Sequence, residues 1–133
     1  GKEKDQALID MFKKALDDDQ LKVRVESLKS SSVPGIIILS EQSRRMQDMS
    51  RMYGGSDLGN MFPNEQTLVI NRRNELIKSL FSINGDESRL EDVKMVCQHV
   101  YDLAMMGHRQ LEPDMMTRFI ERSNRILAKM VQS

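Results

Sequence analysis

Cysteine and tryptophan are scarce in this sequence of 133 residues, which has one cysteine, Cys97, and no tryptophan. A single cysteine cannot form a disulfide within the chain, and such usage is typical of a reducing compartment. The sequence also has no run that approaches the roughly 20 apolar residues of a membrane-spanning helix. We therefore expect a cytoplasmic protein that folds around an apolar core and has no membrane partner.

Neither sign of charge is in excess, because 20 Lys and Arg residues balance 20 Asp and Glu residues. A protein that binds nucleic acid by neutralising its phosphates needs a surplus of positive charge, so we expect no nucleic-acid partner. The charged residues of DDD (17–19) and RSNRILAK (122–129) are expected on solvated faces. The charge pattern by itself therefore indicates no ligand.

Motifs for catalysis and cofactor binding are missing as well. The stretch GGSDLGN (54–60) is not followed by Gly-Lys-Ser or Gly-Lys-Thr, so it is not a phosphate-binding loop. Cys97 and His99 lie two positions apart on a predicted helix, where their side chains diverge by about 200° and cannot hold one metal ion. His108 has no partner at ligand spacing in the sequence. We expect no catalytic residue, no metal and no cofactor in this chain.

Hydrophobic periodicity predicts a single α+β domain over residues 1–133. The N-terminal segment 5–17 has the spacing of an amphipathic helix. Three short segments rich in β-branched residues predict a small three-stranded sheet: LKVRVESL (21–28), IIIL (36–39) and QTLVIN (66–71). We expect the first two strands to pair as a β-hairpin, and we expect IIIL to be covered on both faces.

A short helix is predicted over 74–83, with Asn74 as its N-cap, and two long helices are predicted over 89–106 and 113–131. The apolar residues of the last helix occur in adjacent pairs nearly every turn, which makes a stripe wider than one neighbouring helix covers. A second copy of the helix pair would cover the outer half and give a four-helix bundle about a two-fold axis. The predicted interface of this homodimer contains ten residues: Val96, Val100, Leu103, Met116, Phe119, Ile120, Ser123, Ile126, Leu127 and Met130.

Methionine is unusually frequent, with 11 residues, and three of them recur at every third position in SRRMQDMSRMYGG (43–55). On a helix over 43–54, an arc of about 120° would contain Met46, Met49, Met52 and Tyr53. The apolar arc of an amphipathic helix is usually buried as core, whereas flexible thioether side chains also suit surfaces that bind varied partners. The residues alone favour the core, and both interpretations stay open.

Three segments, in this order, resemble the C-terminal dimerisation domain of the heat-shock protein 90 family of chaperones, and they are closest to its bacterial members. The first is SSVPGIIILSEQSRRMQDMSRMYGG (31–55), with a Pro-x-Ile run before the methionine-bearing helix. The second is QTLVINRRNELIKSL (66–80), a strand followed by Asn-x-x-x-x-Leu-Ile. The third is the closing helix, LEPDMMTRFIERSNRILAKMV (111–131). The resemblance covers essentially all of residues 5–131.

The resemblance implies a dimer formed by the last two helices and a methionine-bearing helix that contacts client proteins. It divides the chain into an α/β part over 5–88, with the client-contact helix at 43–54, and dimerisation helices over 89–131. The client-binding residues we predict are Met46, Met49, Met52, Tyr53, Met61 and Phe62. The family's ATPase domain, which binds ATP and Mg, has no counterpart in these residues. We therefore expect a fragment without ATPase activity.

The function predicted on this basis is homodimerisation of an ATP-dependent, heat-shock (stress-response) chaperone that assists protein folding. Its expected partners are a second copy of the chain and unfolded or partly folded client proteins. The alternative is a purely structural oligomerisation module in which the Met-rich helix is packed in the core. Solvent exposure of the methionine arc distinguishes the two.

Overall fold

The computed structural model describes residues 2–18, 21–39, 66–107 and 113–132 of the chain. These residues form four α-helices and three strands: α1 (Lys2–Leu16), β1 (Lys22–Glu26), β2 (Gly35–Leu39), β3 (Gln66–Asn71), α2 (Glu75–Ser82), α3 (Leu90–Met106) and α4 (Pro113–Gln132). A short 3-10 helix, Glu87–Arg89, leads into α3. The predicted α+β fold, with an N-terminal helix and two long C-terminal helices, is confirmed. The predicted client-contact helix (43–54) lies outside the described residues, as do Met61 and Phe62.

The sheet has the strand order β1-β3-β2, with β3 parallel to β1 and antiparallel to β2. Leu68 at the centre lies opposite Val23 on one side and Ile37 on the other. The predicted β-hairpin of the first two strands is therefore wrong, because β3 lies between them. The central position belongs to the strand that is buried on both faces. Residues 68–70 of β3 are fully buried, whereas alternate residues of β1 are charged and exposed.

The prediction that IIIL is covered on both faces is also wrong, because β2 is an edge strand and residues 36–38 are only half-buried. One face of β2 nevertheless packs closely on α3. A Cβ atom on Gly35 would lie 3.2 Å from the carbonyl oxygen of Val69 and 3.5 Å from Cγ1 of Val100. Glycine at this position therefore avoids a tight contact with the backbone of β3, whereas the distance to Val100 of α3 is an ordinary van der Waals contact.

The main core lies between one face of the sheet and the helices α1 and α3. Its largest fully buried side chain, Phe12, comes from α1 and packs in one cluster with Leu68 and Ile70 of β3. Cys97 of α3 belongs to the same cluster, and burial raises the pKa of its thiol to about 12. The thiol is therefore protonated at neutral pH and behaves as a small apolar side chain.

Asn71, the last residue of β3, connects the sheet to the loop between β1 and β2. Its side chain is fully buried and makes four hydrogen bonds. The amide nitrogen donates to the carbonyl oxygens of Ser30 and Val33, both at 2.8 Å. The amide oxygen accepts from the backbone N–H groups of Leu28, at 3.0 Å, and Arg73, at 3.1 Å. One buried side chain therefore fixes both halves of this loop against the end of the central strand.

Asn74 extends the same connection into α2. Its side-chain oxygen accepts from the N–H groups of Leu76, at 2.9 Å, and Ile77, at 3.3 Å, which confirms it as the predicted N-cap. Its amide nitrogen donates to the carbonyl oxygen of Ser31 at 2.9 Å. The two asparagines of INRRNELI thus have a structural role, which is to join β3, the loop between β1 and β2, and α2.

Candidate oligomerisation surface

The two long C-terminal helices lie antiparallel, and two carboxylates of α3 hold α4 in place. Asp92, in the first turn of α3, accepts a hydrogen bond from Lys129 near the end of α4 and another from Arg89 at 2.9 Å. The hydrogen bonds from Lys129 and Arg89 lower the pKa of the Asp92 carboxyl below its ordinary value. The Asp92 carboxylate is therefore charged at neutral pH and ties the end of α4 to the start of α3.

The second carboxylate, Asp102, forms a buried ion pair with Arg122 of α4. Arg122 Nη1 donates to Asp102 Oδ2 at 2.7 Å, and the two side chains are only 10% and 7% exposed. Charges removed from water in this way are tolerated only when they are paired with good geometry. The pair therefore specifies how far along α3 the helix α4 must lie. The expectation that all charges of 122–129 are solvated is wrong for Arg122.

His99 lies between these two ion pairs, on the side of α3 that faces α4. Its imidazole stacks on the ring of Phe119, with 4.3 Å between the centroids and 7° between the planes. Its Nε2 is 3.4 Å from Ser123 Oγ, and its buried Nδ1 has no hydrogen-bond partner among the described residues. Burial lowers the pKa of His99, and the nearby Arg122 lowers it further, while Asp102 acts in the opposite direction. The contact therefore favours the neutral ring.

Beyond this contact, α4 presents an apolar row to solvent. We call this row the outer strip: Ile120, Leu127 and Val131, which are 52%, 57% and 86% exposed. The spacing of seven and four residues places the three side chains on one face of the helix. The prediction that a single chain leaves the outer half of its last helix apolar and exposed is confirmed for these residues.

The structure divides the ten predicted interface residues into three groups. Four are exposed, namely Leu103, Ile120, Leu127 and Met130. Five are half-buried, namely Val96, Met116, Phe119, Ser123 and Ile126. Of these, Phe119 and Ser123 contact His99 of α3, and Val96 packs against the main core. Val100 does not belong with the others, because it is fully buried in the core beside Gly35. We therefore exclude Val100 from the candidate oligomerisation surface. The four exposed residues form the centre of that surface.

Three features of this region were missed in the sequence. Val131, the most exposed large apolar residue of α4, belongs to the outer strip, and its place beside Met130 in the last adjacent pair was a usable signal. The buried pair of Asp102 and Arg122 had a weaker signal, since Asp102 interrupts an otherwise apolar stretch of α3. No sequence pattern indicated the stacking of His99 on Phe119, because this contact depends on how α3 and α4 dock.

Other kinds of site find little support in the described parts of the chain. No group of three or more His, Cys, Asp or Glu side chains within them could hold a metal ion. None of the helices described has the length and apolar character needed to cross a membrane. A cleft of about 250 Å³ is lined by Leu16, Gln98, Tyr101, Asp102, Met115, Arg118 and Arg122. Its only acidic group, Asp102, is already paired, so the cleft has no evident catalytic arrangement.

Comparison with known proteins adds no family assignment. No protein-family model and no curated protein matches this chain. Function is therefore inferred from the outer strip, from the contacts between α3 and α4, and from the resemblance in the sequence.

Proposed function

We propose that this chain is the homodimerisation domain of a cytoplasmic, ATP-dependent chaperone of the heat-shock protein 90 type. The observation that supports the proposal is the outer strip, an exposed apolar row on the last helix. The resemblance in the sequence implies dimerisation through the last two helices, where this row lies. On this proposal the chain itself binds no ATP, and nucleotide and Mg belong to the ATPase domain that the resemblance implies elsewhere in the protein.

A second copy of the chain is the partner that fits the outer strip best. Burying the exposed half of an aliphatic side chain contributes on the order of 1 kcal/mol, and a two-fold contact buries every residue of the strip twice. The neighbouring row on α4, three positions earlier in each case, consists of Thr117, Asn124 and Ala128, which are exposed and uncharged. Two strips can therefore approach one another without burying a charged side chain, which would be costly.

Replacing Leu127 by aspartate tests the dimer directly. The chain should be dimeric at tens of micromolar, and Leu127→Asp should raise the dimer dissociation constant at least about thirtyfold, because each dimer would bury two carboxylates among apolar side chains. Sedimentation equilibrium or light scattering measures the mass against the 15.4 kDa of one chain.

The matched control is Leu76→Asp, the same change at an exposed leucine of α2. This variant should remain dimeric. A monomeric parent chain at these concentrations, or an equal effect of both variants, would contradict the proposed interface.

The client-binding part of the proposal concerns Met46, Met49 and Met52, which lie outside the described residues. It is supported by the resemblance and by the adaptability of thioether side chains at surfaces with varied partners. If these side chains form an exposed surface, replacing all three by glutamine should change stability by only about ±0.5 kcal/mol each while lowering the protection of clients.

Two measurements on this triple variant separate client binding from the structural alternative. Thermal unfolding reports stability, and suppression of client aggregation by the full-length chaperone reports client binding. A large loss of melting temperature would support the purely structural module, in which the methionines are core. Unchanged stability with unchanged client protection would exclude both roles.

A further inference from the structure

The contact between α3 and α4 has a titratable group at its centre. His99 lies flat on Phe119, so one face of the imidazole is covered by the neighbouring helix. A neutral imidazole has one N–H donor and one acceptor nitrogen. Here Nε2 can share a hydrogen with Ser123 Oγ at 3.4 Å, and Nδ1 faces the interior with no hydrogen-bond partner among the described residues. The geometry suits a neutral ring, because an unused acceptor lone pair costs less than an unpaired N–H with a positive charge.

The charged groups that face the ring come from both helices. Arg122 of α4 brings a positive charge to the contact, and Asp102 of α3 brings a negative one. The Asp102 carboxylate is already engaged by Arg122 at 2.7 Å, and both side chains are nearly buried. Protonation of His99 would therefore add a second positive charge to this contact. The Asp102 carboxylate would then be the counterion of both Arg122 and the imidazolium.

We propose that His99 makes the docking of α4 on α3 sensitive to pH, with the neutral imidazole holding the helix in place and the imidazolium releasing it. The release of α4 at low pH is inferred only from the contacts of α3 with α4. Its consequence for assembly rests on the proposed function, since α4 carries the outer strip. Mild acid then weakens the dimer by loosening the helix that presents its interface.

The direction of the pH effect follows from the environment of the ring. Burial and Arg122 hold the pKa of His99 in the docked helix below its ordinary value of 6.5. When α4 is released, His99 binds the proton more readily, so docking is fully favoured above pH 6.5 and is weakened as the pH falls towards the lower pKa. If the docked ring took up no proton, the docking equilibrium in each protomer would be about tenfold lower at pH 5.5 than at pH 7.5.

Hydrogen exchange of the α4 amides at pH 7.5 and pH 5.5, corrected for intrinsic exchange rates, measures this release. We would perform it in the Leu127→Asp background, so that the result does not depend on dimerisation. The opening equilibrium of α4 should rise severalfold at the lower pH, with about tenfold as its upper limit. His99→Phe, which keeps an aromatic ring against Phe119 but cannot titrate, should abolish the rise. The control His108→Gln, at the other histidine of the sequence, should leave it unchanged.

The outcomes separate this inference from the proposed function. A pH-dependent α4 in a chain that is monomeric at every concentration supports the release and contradicts the dimer. A dimer whose α4 opens equally at both pH values contradicts the release and keeps the dimer. Persistence of the pH effect in His99→Phe would also overturn the inference. If that variant fails to fold, an NMR titration of the His99 ring in the parent chain decides, and a pKa at or above 6.5 contradicts the inference.

Discussion

Replacing Asn71 with alanine should lower the free energy of unfolding by about 3–5 kcal/mol. The side chain is fully buried and makes four hydrogen bonds, two as donor and two as acceptor. A hydrogen bond contributes about 0.5–1.5 kcal/mol net, and a buried polar group left without a partner costs about 1–3 kcal/mol. The variant would remove all four bonds at once. The loop between β1 and β2 would keep fewer bonds to this end of β3, such as the one from the backbone N–H of residue 71 to the carbonyl oxygen of Pro34. Urea denaturation followed by circular dichroism measures the loss.

The matched control is Asn84→Ala, in the exposed turn after α2, which should change stability by no more than about 0.5 kcal/mol. Asn71→Asp is a second, nearly isosteric variant. It keeps the two acceptor bonds but turns a carboxylate oxygen towards the carbonyl oxygens of Ser30 and Val33. It should therefore be destabilising at neutral pH despite its similar shape. A loss below about 1 kcal/mol for Asn71→Ala would show that the loop does not depend on this side chain.

Replacing Asp102 with alanine should release α4 from α3, at a cost of about 3–5 kcal/mol to their docking. The change leaves the Arg122 guanidinium in a contact where it was only 10% exposed and had a carboxylate at 2.7 Å. A buried charge without a partner is costly, so α4 should move away from α3 and expose the Arg122 guanidinium to water. Hydrogen exchange over 113–132 and trypsin cleavage at the arginines of α4 both report this release.

The double variant Asp102→Leu with Arg122→Met is the decisive comparison. Replacing a buried ion pair with apolar residues of similar volume is often neutral or stabilising, so α4 should regain most of its protection. The control is Glu26→Ala, which breaks the exposed pair with Arg24 and should cost at most about 1 kcal/mol. If the double variant is no better protected than Asp102→Ala, the role of the pair in positioning α4 is contradicted.

Local signals in the sequence predicted the helices well, because their chemistry lies within a few residues. Asn74 is an example, since an N-cap is recognised from one side chain and the apolar pattern that follows it. The outer strip was predictable for the same reason, as adjacent apolar pairs on one helix reveal an apolar face wider than its neighbour can cover.

Long-range partners could not be predicted in this way. The β-hairpin failed because nearness in sequence favoured pairing β1 with β2, whereas the burial of residues 68–70 selected β3 as their common neighbour. Arg122 was placed on a solvated face because a charge is usually exposed. Its partner Asp102 is 20 residues away and is reached only when α3 and α4 dock. The client-contact residues lie outside the described residues, and their role stays a prediction.

The order of the strands also has a consequence for synthesis on the ribosome. Both edge strands leave the ribosome before the central strand, and β1 pairs with residues about 45 positions later, such as Lys22 with Thr67. A nascent chain that ends at residue 65 therefore contains β1 and β2 but not β3, the strand that lies between them. Until β3 is synthesised, the unpaired backbone N–H and C=O groups of β1 and β2 can pair with strands of other chains. A chain with this topology is thus itself exposed to misassembly until residue 71 has emerged.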